Sequence, residues 1–559
     1  MDKILSAVPT LAYYNKRDKQ LADNENLKGR IALWLSAEKN LSDNSILKKL
    51  ATLYATADLY ECSITYWYKF LNVAKEKSEL TDCYNGLGNG YFMLGNPRVA
   101  NYYLNKSFMT GGALDPDSLN EEVINYFIND ADKNDSYKIV YPPERADYSS
   151  ELSGAKEALL TGDIKKALEI YDTIPFGSKY YATARAEMSV AEYLNGNIDK
   201  GIELSHQALK GDKDNVFALC NLSSMYFVKE DYDNSRFYYE KALSVDSDDP
   251  DDMLKIAMSA CEQREHRVAL KYINELIKER PYDVSLKYIY GVAHYNLGNL
   301  QVARDAFFDA LSLKGRDCVF EYAIQLTDMA IERGLEGKKN DMKYFVQLPP
   351  VEVEVQKNTV KKMTELSQAD LDKALKKKEN LFAIDWAFSY GDQETQKMSV
   401  YILASTRHKW AEKRLFDLLI NCTITDYIKR IIITVMVING SNKRVGMVLG
   451  NIYQKTKFSK LSDDIPTNFT YAYAGCTSLL APIGVEDMSK YKVATEYLAR
   501  ILPADFVETL AGPELSVLIT LVAKDKLTSG DDKIMKLFSV KKDKLSELKQ
   551  KLDEFRNKK

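Results

Sequence analysis

The chain has 559 residues, 45% hydrophobic and 28% charged, with a formal net charge of −4, the balance of an ordinary globular protein with room for two or three domains. No apolar run approaches membrane-spanning length, and Met1-Asp2-Lys3-Ile4-Leu5 lacks the apolar stretch of a signal peptide, so a cytoplasmic protein without membrane contact is expected. Charge is uneven: residues 341 to 559 carry 35 Lys plus Arg against 28 Asp plus Glu, and residues 1 to 340 carry 41 against 52, which is +7 behind and −11 in front. An acidic front half repels phosphate backbones and argues against nucleic acid as the primary partner, although the basic C-terminal region keeps that alternative open.

Residues 1 to 43 place Leu27, Ile31, Trp34 and Leu35 at helical spacing and are expected to be a helical cap on the helix pairs that begin at residue 44. A first helix pair is expected at 44 to 77, on Leu50, Ala51, Tyr54, Ser63 and Trp67. A second is expected at 81 to 114, on Tyr84, Leu87, Gly88, Tyr91, Gly95, Ala100 and Leu104. The interval 115 to 147 has the size of one more pair whose pattern has decayed. Leu119, Val123, Tyr126 and Phe127 keep helical spacing, but Tyr137 to Pro143 favours extended backbone, so the segment is either a docking segment or an irregular spacer.

Five blocks then repeat in step every 34 residues, at 148 to 181, 182 to 215, 216 to 249, 250 to 283 and 284 to 317. Their eighth places hold Ala155, Ser189, Ser223, Ala257 and Gly291, and their twentieth places Ala167, Gly201, Ser235, Ala269 and Ala303. All ten are small, as close packing of two antiparallel helices requires. Larger residues fill the space around them: Leu222, Ile256 and Tyr290 at the seventh place, and Tyr171, Tyr239, Ile273 and Phe307 at the twenty-fourth. Gly162-Asp163, Gly196-Asn197 and Gly298-Asn299 mark the turn between helices, and Pro281 ends a block. Glu192 and Ser205 stand where aromatic residues are expected, which predicts looser packing in the block at 182 to 215.

This pattern resembles the tetratricopeptide repeat family, best in Tyr288 to Gly298 with Ala303, Phe307 and Ala310 after it. The resemblance implies an all-α fold, with a right-handed superhelix (an α-solenoid) over 44 to 335. It also implies a concave groove lined by the second, fifth, ninth and twelfth places of each first helix. Those places include Leu152, Lys156, Leu159, Tyr193, Phe217, Ser224, Phe227, Tyr288, Val292 and Tyr295, an aromatic and mostly uncharged set. Some members of the family grip a chaperone's C-terminal carboxylate with lysines, asparagines and an arginine. Lys48 and Asn89 echo that set, but Thr52 and Gly86 break it.

Beyond 317 the period stops. Residues 318 to 334 still look helical, and 336 to 366 are expected to be a linker, because Gln347 to Val355 alternates around two prolines. A mostly helical C-terminal domain is expected over 367 to 540, with helices near 367–377, 379–391, 394–405, 408–421 and 424–438. A small β-hairpin is expected where Val445–Leu449 and Ile452–Phe458 flank Gly450-Asn451. Residues 541 to 559 form a basic terminal helix with Leu545, Leu548, Leu552 and Phe555 at heptad-like spacing. It is either solvated or able to bind a partner helix or an acidic surface.

Chemistry-bearing motifs are missing. His206, His266, His294 and His408 are isolated, no phosphate-cradling or nucleophile-elbow segment occurs, and Gly86 to Gly90 belongs to a repeat helix. The seven cysteines are scattered and never spaced as Cys-x-x-Cys, which suits buried reduced thiols. The expectation is therefore a non-enzymatic adaptor without catalytic residues, metal, cofactor or evident small-molecule substrate, binding a protein or peptide partner. The alternatives are an RNA-associated regulatory factor using the basic C-terminal region, and an enzyme with a repeat-built recognition arm.

Overall fold

The computed structural model describes residues 9–110, 148–160, 164–406, 408–480, 485, 487–524 and 537–557. The expectations placed on 115 to 147 and on Gly162-Asp163 lie outside them. Helices dominate, and β1 (Arg444–Leu449) and β2 (Ile452–Lys457) are the only named strands among the described residues. The chain divides into two compact units, one of residues 1–133 with 348–559 and one of residues 134–347. The units thus cut across the division expected from the sequence, because the first repeats pack with the C-terminal region.

The second unit is a stack of helix pairs. Its elements are α7 (Ser149–Leu160), α8 (Ile164–Asp172), α9 (Tyr181–Leu194), α10 (Ile198–Gly211), α11 (Val216–Val228), α12 (Tyr232–Leu243), α13 (Pro250–Glu262), α14 (His266–Glu279), α15 (Val284–Asn296), α16 (Leu300–Lys314) and α17 (Cys318–Glu332), where the first unit's six N-terminal helices take the numbers α1 to α6. The small residues sit where the paired helices touch, all ten of them buried. A Cβ added at Gly291 would lie 2.6 Å from the Phe307 ring, so glycine is required by that close approach. Ser235 donates its hydroxyl to the Ser223 carbonyl at 2.9 Å, which keeps a polar residue satisfied in the contact. The block at 182 to 215 is not loose. Ser205 hydrogen-bonds Ser189 at 2.6 Å, and Met225 of the next pair reaches the space beside Gly201, doing with a flexible thioether what an aromatic does elsewhere.

A left-handed residue ends the first helix of each in-phase pair from 182 onward. Gly196 and Gly298 take it at φ 86° and 83°, and Glu230 and Arg264 occupy the same fifteenth place at φ 61° and 57°. Each non-glycine residue there costs about 1 kcal/mol, which the packing on both sides must offset.

The first unit opens with α1 (Leu11–Asp23), α2 (Leu27–Asn40), α3 (Ser45–Thr56), α4 (Tyr60–Val73), α5 (Lys77–Met93) and α6 (Pro97–Thr110). The cap α1–α2 has the geometry of a further pair, with Glu25 left-handed at φ 52°. Counted from Leu11, Asp18 and Arg30 hold the eighth and twentieth places, and an ion pair of 2.7 Å replaces the small contact. Burial alone would raise the Asp18 carboxyl, but hydrogen bonds from Arg30 and Lys49 bring it below its ordinary range.

The C-terminal part continues with α18 (Pro350–Thr364), α19 (Gln368–Ala374), α20 (Lys378–Tyr390), α21 (Gln393–Ser405), α22 (Lys409–Ile420), α23 (Asp426–Ile438), the hairpin, α24 (Thr467–Leu480), α25 (Ser489–Ile501), α26 (Ala504–Glu508), α27 (Gly512–Ala523) and α28 (Lys542–Asn557). The expected linker is in part a helix. Pro350 starts α18 at the one place where a missing N–H costs nothing, and Gln356, Val360 and Met363 are buried where it packs on α20 and α21. The terminal helix α28 is packed rather than solvated: Leu545, Leu548 and Leu552 are buried and Phe555 meets Phe506 at 5.1 Å.

The hairpin joins the two stretches of this unit. Gly450 and Asn451, at φ 54° and 62°, form its two-residue turn. The Asn451 carbonyl accepts hydrogen bonds from the hydroxyls of Tyr68 (2.9 Å) and Tyr103 (2.8 Å), and the Tyr453 N–H donates to the Tyr103 hydroxyl at 3.0 Å. Burial pushes both phenols well above their ordinary range and keeps them protonated as donors. Gly446 lies so close to α4 that an added Cβ would fall 2.4 Å from the Asn72 side-chain oxygen.

Replacing Ala269 or Ala303 by Leu is expected to lower stability by roughly 1–3 kcal/mol through overpacking, whereas Gln301→Leu on the exposed side of α16 stays within about 0.5 kcal/mol. Equal melting temperatures for the three variants would contradict the contact assignment. Changing Tyr68 and Tyr103 together to Phe leaves the Asn451 carbonyl and the Tyr453 N–H without these partners, for an expected loss of about 1–3 kcal/mol in denaturant unfolding. Asn451→Gly should be tolerated, and Asn451→Ala should cost about 1 kcal/mol.

Candidate functional site

In the second unit the first helices α9, α11 and α13 lie side by side. The Asn221 amide of α11 donates to the Ala186 carbonyl of α9 at 3.0 Å, which fixes their spacing. A cleft of about 520 Å³ opens over α11 and α13, with Lys156 of α7 at its margin. Phe217, Cys220 and Ser224 line it from the second, fifth and ninth places of one block, and Asp251, Leu254 and Met258 from the same places of the next. Register is what brings them together.

The cleft has both an apolar floor and charge. Lys255 lays its ammonium over the Phe217 ring at 4.7 Å from the centroid. Ser224 donates its hydroxyl to a Glu262 carboxylate oxygen at 2.5 Å. Glu262 is exposed at the edge of the cleft, and partial desolvation by the surrounding wall raises its carboxyl above the ordinary range. Asp251 pairs with Arg280 at 3.5 Å and Lys156 with Glu187 at 3.5 Å. Burial pushes the Cys220 thiol up to about 12, so it stays protonated.

The expected groove residues separate into three groups. Lys156, Phe217 and Ser224 line the cleft. Tyr193 and Phe227, 36% and 39% exposed, stand at the ends of α9 and α11, with Phe227 edge-on to Tyr232 at 5.5 Å, while Leu152 and Leu159 are half-buried against the core of the first pair. Tyr288, Val292 and Tyr295 do not face an open groove, being 3%, 0% and 7% exposed. The reason is the end of the stack. Tyr288 packs between Phe307 and Phe320 of α17, at 5.6 and 5.5 Å. The segment after α17 returns along α15: Asn340 donates to the Tyr295 carbonyl, Asn296 and Met342 exchange two hydrogen bonds, and Tyr344 meets His266 at 2.6 Å.

The sequence pattern implies a mostly uncharged groove; Asp251, Lys255 and Glu262 correct that. Asp251, Leu254 and Met258 come directly from the repeat frame, but Asn221, Lys255 and Glu262 occupy the sixth and thirteenth places, one step outside the expected stripe. The double change of Tyr288 and Tyr295 to Ala is accordingly expected to cost several kcal/mol, about 3–5 per buried ring, and to melt the end of the stack first. A thermal melt unchanged from wild type would contradict this placement.

Residues 228–310, 83 of the 559, match a family model described as "Anaphase-promoting complex, cyclosome, subunit 3". Comparison with curated protein sequences gives no match. Matching solved structures include the yeast Tom70 (13% identity, 72% of this chain and 93% of that chain, TM-score 0.25), the TPR2AB domain of yeast Sti1 in its pHSP90 complex (12%, 47% and 98%, 0.18) and MamA from AMB-1 (18%, 29% and 88%, 0.23). With small residues at the inter-helix contacts of residues 148–317 and a left-handed fifteenth residue recurring every 34 positions from 196 to 298, these helix pairs form an α-solenoid whose repeat resembles the tetratricopeptide repeat.

Proposed function

We propose that the protein is a cytoplasmic, non-enzymatic scaffold that holds a partner polypeptide in the groove of its second unit. The observation that carries this reading is the cleft over α11 and α13, where apolar side chains and a charged rim converge from equivalent places of successive repeats. A groove of that kind suits an extended or helical segment. Its titratable groups favour binding over catalysis: Lys255 sits over a ring, Asp251 and Lys156 are in ion pairs, and the Cys220 thiol stays protonated. Residues 148 to 347 carry 25 Lys plus Arg against 33 Asp plus Glu, a balance of −8 that opposes a phosphate backbone as the ligand.

A photo-crosslinking residue placed at Met258 or Leu254 is expected to capture a small set of polypeptides that the same residue at Phe237, exposed on α12 and away from the cleft, does not capture. Equal capture from all three positions, read by mass spectrometry, would overturn the groove assignment.

A further inference from the structure

The four charged side chains lining the cleft are not equally provided for. Lys156 has Glu187, Asp251 has Arg280, and Lys255 has the face of Phe217. Glu262 has only the neutral hydroxyl of Ser224 as a hydrogen-bond donor among the described residues, with Lys255 adding a weaker long-range attraction. A carboxylate at the edge of a concave wall gains more from a cation than one in bulk solvent, because the protein on one side screens the pair less. Beside it, Phe217, Leu254 and Met258 offer an apolar surface, Met258 being exposed.

We propose that the cleft takes a partner segment in which a lysine or arginine stands beside a large apolar side chain, the cation paired with the Glu262 carboxylate and the apolar group laid against Phe217, Leu254 and Met258. This rests on the scaffold reading and narrows it to one chemistry of partner. Arginine suits the site best, since its planar fork can engage the carboxylate oxygen that Ser224 leaves open.

The test presents the full-length chain to a display library of random peptides about a dozen residues long. Selected peptides are expected to share a basic residue next to an apolar one, to bind more weakly as salt rises, and to lose about tenfold or more in affinity on Glu262→Gln. Glu262→Lys is expected to redirect selection toward peptides with Asp or Glu at that place. Melting curves on the same preparations confirm that each variant is folded. Peptides that are weakened by Phe217→Ala but indifferent to Glu262→Gln would overturn the cationic assignment while leaving the groove standing. Peptides indifferent to both changes, or none selected, would overturn the groove reading and this inference with it.

Discussion

The close approach of two helices at the eighth and twentieth places is the constraint on which the rest of the repeat geometry depends. It has several chemical solutions here. Ala257 and Ala269 are buried in one core cluster, Gly291 yields to the ring of Phe307, and Ser235 satisfies its hydroxyl on the Ser223 carbonyl. In the N-terminal pair, Asp18 and Arg30 fill the same two places with an ion pair, made tolerable by Lys49 as a second cation. What the contact demands is side chains that fit between the two helices with no orphaned polar atom. Residue identity is secondary, and for that reason α1–α2 carries the geometry of a repeat without its sequence pattern.

The same distinction decides what could be read from the chain. Small residues every 34 positions, and glycine at Gly196 and Gly298, announce their conformation locally, whereas Glu230 and Arg264 adopt the same left-handed state because the helices on either side hold them there. The helices of residues 367–438 and the hairpin at Gly450-Asn451 were legible for similar reasons of period and turn chemistry. The placement of the hairpin was not. The partners of Asn451 are Tyr68, Tyr91 and Tyr103, more than three hundred residues away in sequence, and nothing in the alternation of β1 and β2 points to them. Helix α18 looks extended in the sequence because of Pro349-Pro350 and alternating Val and Glu, while its buried Val360 and Met363 show the face that tertiary packing selects.

A repeat frame specifies which side chains point into a groove but not which repeats leave that groove open. Each pair in a linear stack is buried by its neighbours, so the final pair needs a cover of its own. Helix α17 and the segment after it supply that cover. Tyr288, Val292 and Tyr295, which satisfy the frame as well as Phe217 and Ser224 do, become core residues at the end of the stack. The open part is therefore the middle of the array, where α11 and α13 have pairs on both sides.

In that middle stretch, apolar contact and charge have different consequences. Contact with Phe217, Leu254 and Met258 adds affinity in proportion to area, and it distinguishes poorly between apolar side chains, since one methylene changes binding by only about 1–3 kcal/mol. A carboxylate in the cleft wall discriminates more strongly, because a segment that brings an apolar or acidic group to Glu262 strips away its water and gives nothing in return. Ser224 holds that carboxylate in one orientation without neutralising it, whereas Arg280 and the Phe217 ring occupy Asp251 and Lys255. Selectivity in the proposed groove accordingly depends on Glu262, the acidic group held by a neutral hydroxyl rather than by a cation.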